Sequence, residues 1–132
     1  MTKVLIGACA LVTIFFATAI GGRIEGYFFP VATPGVIIRY EAVGETSTRI
    51  WGDSARLRHC SFDHLVWYLG DEADNARADL VFEEGTKVRP GGRFSFGPWL
   101  VQLTPEQLLG RSYAVVYHRC HALWLTETRF YG

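Results

Sequence analysis

Ser112-Tyr-Ala-Val-Val-Tyr-His-Arg-Cys-His121 decides how the chain is read. Its residues alternate: Tyr113, Val115 and Tyr117 project to one side of an extended backbone, and Ala114, Val116, His118 and Cys120 to the other. The second side begins with small apolar residues, as a core-facing strand does. Leu123-Trp-Leu-Thr-Glu-Thr-Arg-Phe-Tyr131 predicts the next strand. Outside the N-terminal apolar run the only other cysteine is Cys60, itself in a strand-like segment. A bond between Cys60 and Cys120 would staple distant strands and close residues 35–132 into one β domain.

Further strands are predicted at 35–43, 46–51, 56–69, 80–82 and 93–103. Within 56–69 the apolar phase changes at Asp63-His64, which requires either a bulge or a junction of two strands. Gly52-Asp53-Ser54 reads as a break, and the acidic stretch 70–78 as an exposed loop or single helical turn. Glu83-Glu84-Gly85 and Arg89-Pro-Gly-Gly92 read as turns, and Gly97-Pro98 as a bend or an edge position. Thr104-Pro-Glu-Gln107 is a capping box with proline at the first helical position, so a one-turn helix precedes Ser112. Seven or eight short strands at this spacing predict a mostly β protein, an antiparallel β-sandwich.

Leu103-Thr-Pro-Glu106, followed by Tyr113 or Tyr117 and then Cys120, resembles the E–F corner and F strand of immunoglobulin-like domains. The separation of Cys60 and Cys120 is similar to that of the family's inter-sheet disulfide. Two positions depart from the pattern: His118 stands where the family has a tyrosine, and Trp67 lies closer to Cys60 than the family's core tryptophan does to its first cysteine. The resemblance implies the architecture and carries over no functional residue.

Val4–Ile20 is seventeen residues without a charge, preceded by Lys3 and followed by Gly21-Gly22-Arg23. A spanning helix needs about 20 apolar residues, with about 17 as the lower limit. Ala17-Thr18-Ala19 also offers a signal-peptidase site. Residues 1–26 are accordingly read as a transmembrane or signal-anchor segment, cleaved near Ala19 in the alternative. Cys9 follows too few apolar residues for a lipoprotein box. Pro30 and Pro34 predict that residues 27–34 form a stiff juxtamembrane spacer, with 35–132 outside the cytoplasm, periplasmic or extracellular.

Thirteen basic and thirteen acidic side chains cancel, and the arginines are scattered among acids. No field steers this chain to nucleic acid. The acidic group Asp71, Glu72, Asp74, Asp79, Glu83 and Glu84 fits no calcium-loop spacing. Trp51, Trp67, Trp99 and Trp124 suit packing better than a carbohydrate platform.

All four histidines flank a domain cysteine: His59 and His64 beside Cys60, His118 and His121 beside Cys120. Three chemistries are open. An exported cysteine pair oxidises to a disulfide. Alternatively, Cys60, His64, His118 and Cys120 supply the two sulfurs and two nitrogens of a tetrahedral metal site, making a metal-binding or redox protein. A catalytic Cys-His pair has no surrounding signature to support it. The expectation is a membrane-anchored interaction module rather than an enzyme. Its partners would be the membrane, through the N-terminal helix, and another envelope or assembly protein. No cofactor and no small-molecule substrate are indicated.

Overall fold

In the computed structural model, which describes residues 1–84, 87–88 and 92–132, two antiparallel sheets share one core behind an N-terminal helix. The helix, α1, runs Thr2–Phe28. The strands are β1 (Val36–Val43), β2 (Ser47–Ala55), β3 (Ser61–Gly70), β4 (Asn75–Ala78), β5 (Leu80–Phe82), β6 (Lys87–Val88), β7 (Arg93–Val101), β8 (Ser112–Arg119) and β9 (Thr126–Tyr131), with helix α2 (Pro105–Gly110) before β8. One sheet has the order β1-β2-β7-β5, with β6 also on β7; the other is β4-β3-β8-β9. Ile50, Phe96, Trp99 and Val101 of the first sheet meet Leu65, Trp67, Ala114, Val116 and Phe130 of the second. The alternation expected of 112–121 holds, with Ala114 and Val116 buried in that core.

The phase change at Asp63 is a bulge inside one strand: the β3–β8 register shifts between Phe62 and His64. The capping box is formed, Thr104 Oγ1 accepting from Gln107 N–H and the Gln107 side chain accepting from Thr104 N–H.

Three expectations are corrected. Gly52-Asp53-Ser54 does not break β2, which continues to Ala55. A side chain at Gly52 would strike the Phe96 ring and the Val36 carbonyl, so the glycine keeps the strand in place. Residues 70–78 are no loop or helical turn throughout, because Asn75–Ala78 pairs with Trp67–Gly70 as β4. Gly70 at φ +104° and Asp71, whose Oδ1 accepts from the Ala73 and Asp74 N–H groups, make that hairpin turn. Gly97-Pro98 lies on neither an edge nor a strand end. It interrupts the middle of β7 where the β2 register shifts, in the gap between the residues paired with β6 and those paired with β5. There the missing proline N–H leaves no ladder bond unmade. Of the two predicted turns between β5 and β7, Gly85 and Arg89–Gly91 lie outside the described residues.

The spacer also reads differently once folded. α1 runs two turns past Ile20 without a break, and residues 31–35 pack on the domain. Val31 and Ala32 are buried, Ala32 bridges Arg56, Val31 N–H donates to Thr128 Oγ1, and Gly35 N–H donates to Phe130 O. After Phe28 the chain leaves the helix, and Pro30 and Pro34 lie in this non-helical stretch. Its apolar side chains are what draw it onto the sheet.

The C-terminal turns of α1 lie along β9, an edge strand, and cover it. Gly21, Gly22 and Gly26 are buried there; a Cβ at Gly21 would meet the Trp124 ring, at Gly22 the Leu125 carbonyl, and at Gly26 the Glu127 carbonyl. Glycine to alanine inside a helix ordinarily stabilises by about 0.5–1 kcal/mol. Here the sign reverses. Gly26→Ala is expected to destabilise by about 1–3 kcal/mol as helix and strand are forced apart. Urea unfolding in detergent micelles tests this, with Gly7→Ala, which has no neighbour within 4 Å, as control.

Candidate functional site

Strands β3, β7 and β9 begin, and β2, β5 and β8 finish, at one end of the two sheets, and the sequence's chemistry gathers there. Cys60 and Cys120 continue the β3–β8 ladder one pair beyond Ser61 and Arg119, and are bonded with Cα atoms 4.6 Å apart. The staple therefore joins neighbouring strands of one sheet and does not tie the two sheets together, as the immunoglobulin-like resemblance implied. This placement also accounts for Trp67: it lies fully buried on the same strand that Cys60 precedes, so the interval between them is short.

With both sulfurs bonded to each other, the set Cys60, His64, His118 and Cys120 is not brought together as a metal site. The bulge turns His64 outward, where its ring stacks on Tyr117 with centroids 4.2 Å apart and its Nδ1 pairs with Asp63. His118 points inward, between the sheets. Among the described residues no group of three or more His, Cys, Asp or Glu converges. The acidic residues are dispersed: Asp71 closes a turn, Glu72 pairs with Arg23 and Arg129, and Glu83 with Arg49. The tryptophans share no platform, since Trp67 and Trp99 are core, Trp51 lies beneath the Arg39 guanidinium, and Trp124 lies on Gly21.

Two features remain at this end. The first is Glu25, on the last turn of α1. Its Oε2 accepts from Trp124 Nε1 at 2.7 Å, His121 Nε2 at 2.9 Å and Thr126 Oγ1 at 3.1 Å. Its Oε1 accepts from Arg58 Nη2 at 2.9 Å, while Arg58 Nη1 donates to the Phe29 carbonyl. His121 Nδ1 accepts from Leu123 N–H, so the ring proton sits on Nε2 and faces the carboxylate. Four domain side chains thus clamp one carboxylate of the helix.

The second is a cavity of about 430 Å³ between the sheets. Its walls are Val31, Leu65, Phe82, Phe94, Trp99, Val116 and Phe130, with Phe62 and Cys60 toward the disulfide, and its polar groups come from Arg56, Arg58, Glu84 and His118. His118 Nδ1 is buried with no hydrogen-bond partner. Burial, and secondarily the Arg56 charge, push the His118 imidazole below its ordinary value.

Protonating His118 therefore opposes folding. Its contribution to stability is complete above the ordinary imidazole value of 6.5, shrinks as pH falls through it, and levels off below the lowered folded value. His118→Gln is expected to remove that part of the acid loss. Urea midpoints at roughly pH 7.5 and roughly pH 5 test this; identical acid shifts in both chains would refute it.

Sequence reasoning did not find Glu25, Arg58 or the glycine face of α1. The available signal was Gly22-Arg-Ile-Glu-Gly26, small residues one helical turn apart immediately after an apolar run. No family model, curated protein or solved structure matches this chain.

Proposed function

We propose that this chain is a single-pass membrane protein whose immunoglobulin-like domain sits outside the cytoplasm and acts by binding another protein rather than by catalysis. The observation that carries this reading is the clamp. The apolar helix is not strung to the domain by a linker; it is buttoned to it through Glu25 and the glycine face. Trp124 contacts α1 at Gly21, the residue after the apolar run, so in an anchored chain the disulfide end rests at the level of the lipid headgroups. The disulfide supports an oxidising compartment.

Strand order supports the immunoglobulin-like reading. The sheets β1-β2-β7-β5 and β4-β3-β8-β9 correspond to A-B-E-D and C′-C-F-G, with the buried Trp67 on the strand equivalent to C. The disulfide departs from that pattern, linking the equivalents of C and F. The partner's place is the edge of β1. With β9 covered by α1 and β4 only four residues long, β1 is the longest open edge among the described residues. It presents Val36, Ile38 and Tyr40 to solvent, suited to strand addition.

A photo-crosslinking residue at Ile38, in full-length chain expressed in its native membrane, is expected to form one discrete protein adduct. The same residue at the exposed Leu109 serves as control. The chain is also expected to stay with the membrane through an alkaline wash, and its unreduced full-length mass to rise by two hydrogens on reduction. Release by the wash, or an adduct pattern identical at both positions, would overturn the reading.

A further inference from the structure

The cavity beside the disulfide is assigned to no role by the reading above, and it is built unlike a packing defect. Cavities that stay empty in proteins are apolar, whereas those with polar groups on their walls hold water or a ligand. This one combines aromatic walls from Phe82, Phe94, Trp99 and Phe130 with two polar groups that the fold leaves unused. One is the buried, unpartnered Nδ1 of His118. The other is the Arg56 guanidinium, which forms no ion pair with another described residue, whereas Arg58 beside it is engaged by Glu25. A buried donor or acceptor without a partner costs about 1–3 kcal/mol. That cost falls on His118 Nδ1, and a ligand that supplied its partner would recover it; Arg56 is exposed and contributes its charge. At about 430 Å³ the space falls within the range of small-molecule sites.

We propose that this cavity binds a single-chain amphiphile with a carboxylate head, a free fatty acid. Its hydrocarbon chain lies between the sheets against Trp99 and Phe130, and its carboxylate meets Arg56 and the Nδ1–H of His118. Arg56 has no ion-pair partner among the described residues and so can receive one carboxylate, while Glu84 on the same lining disfavours a head group with more than one negative charge. Val31, Ala32 and Arg58 on its lining lie next to the C-terminal end of α1, so, resting on the reading of α1 as a membrane anchor, the bilayer is the source of such a ligand. Occupancy of the cavity does not depend on the partner at β1, and a failed crosslink at Ile38 leaves it standing.

The test uses the full chain in phosphatidylcholine nanodiscs and three ten- to twelve-carbon probes brominated at the tail, bearing a carboxylate, a hydroxyl or a trimethylammonium head. Bromine quenches nearby tryptophan, and Trp99 is on the cavity wall. The acid is expected to quench saturably, with an affinity at least about tenfold above that of the alcohol. Trp99→Phe is expected to abolish the saturable component and leave the linear quenching from probe dissolved in the bilayer. Arg56 is exposed, so Arg56→Gln leaves the fold intact and is expected to bring acid and alcohol to equal affinity. Quenching that stays linear for all three heads, tighter binding of the ammonium probe, or an acid preference unchanged in Arg56→Gln would each overturn the proposal.

Discussion

Replacing Cys120 with serine is expected to lower the unfolding free energy by about 4 kcal/mol, the loop-closure value for two cysteines 60 residues apart. For a domain whose total stability is about 5–10 kcal/mol this is a large share. The bond's position adds a local consequence. It ties the last pair of the β3–β8 ladder, where the bulge at Asp63 has already interrupted the register. Without the bond, Ser61 to Phe62 and His118 to Arg119 are expected to fray, and the cavity mouth with them. Urea unfolding in detergent micelles tests the magnitude; amide hydrogen exchange tests the place. A reductant should shift the native chain by the same amount and leave Cys120→Ser unmoved. A loss below about 1 kcal/mol would mean that the closed loop does not constrain the unfolded chain.

Replacing Glu25 with alanine is expected to cost about 3 kcal/mol, through a different mechanism. The carboxylate side chain is only 15% exposed, and Arg58 opposite it is 31% exposed. Removing one partner of such a pair leaves a largely buried cation without its counter-charge, a change that typically costs about 3–5 kcal/mol. The lower figure applies here because Arg58 keeps some solvent and its bond to the Phe29 carbonyl. Trp124 Nε1, His121 Nε2 and Thr126 Oγ1 lose their acceptor at the same time. Glu25→Gln retains the shape and one acceptor oxygen but turns an amide N–H₂ toward donors, so an intermediate loss is expected. The readout specific to this contact is the helix itself: increased proteolysis between Gly26 and Pro34 in the alanine variant, with the core of the domain still protected. Equal stability of native and alanine chains would show that the glycine face alone holds the helix to β9.

What could be read in advance follows the range of the interactions. The capping box at Thr104–Gln107 is complete within four residues, and it formed as read. The bulge at Asp63 announced itself as a slip in a period-two pattern, another local signal. The strand β2 did not, because what lets it pass through Gly52 is the ring of Phe96, forty-four residues away in sequence. Separation in sequence also hid Glu25: one carboxylate behind an apolar run has no visible meaning until residues 58, 121, 124 and 126 are brought around it. Gly97-Pro98 calls for a bend or an edge position because a central strand needs its N–H groups, and only the gap between β5 and β6 lets the proline sit inside β7.

The sequence carried the mostly β domain behind one apolar helix and the core on the Ala114–Val116 side of β8, and it singled out Cys60 and Cys120 while leaving their chemistry open. Each of these rests on periodicity, composition or cysteine count, which act through near neighbours or simple inventory. Tertiary structure decided that the cysteines join adjacent strands, that His64 faces away from the core while His118 keeps the inward side its strand phase gave it, and that the helix is clamped to the domain. It also opened a polar-edged cavity beneath the disulfide. These depend on register and on side chains tens of residues apart: the shift at the Asp63 bulge leaves Leu65 and Trp67 on the core face and His64 on the other.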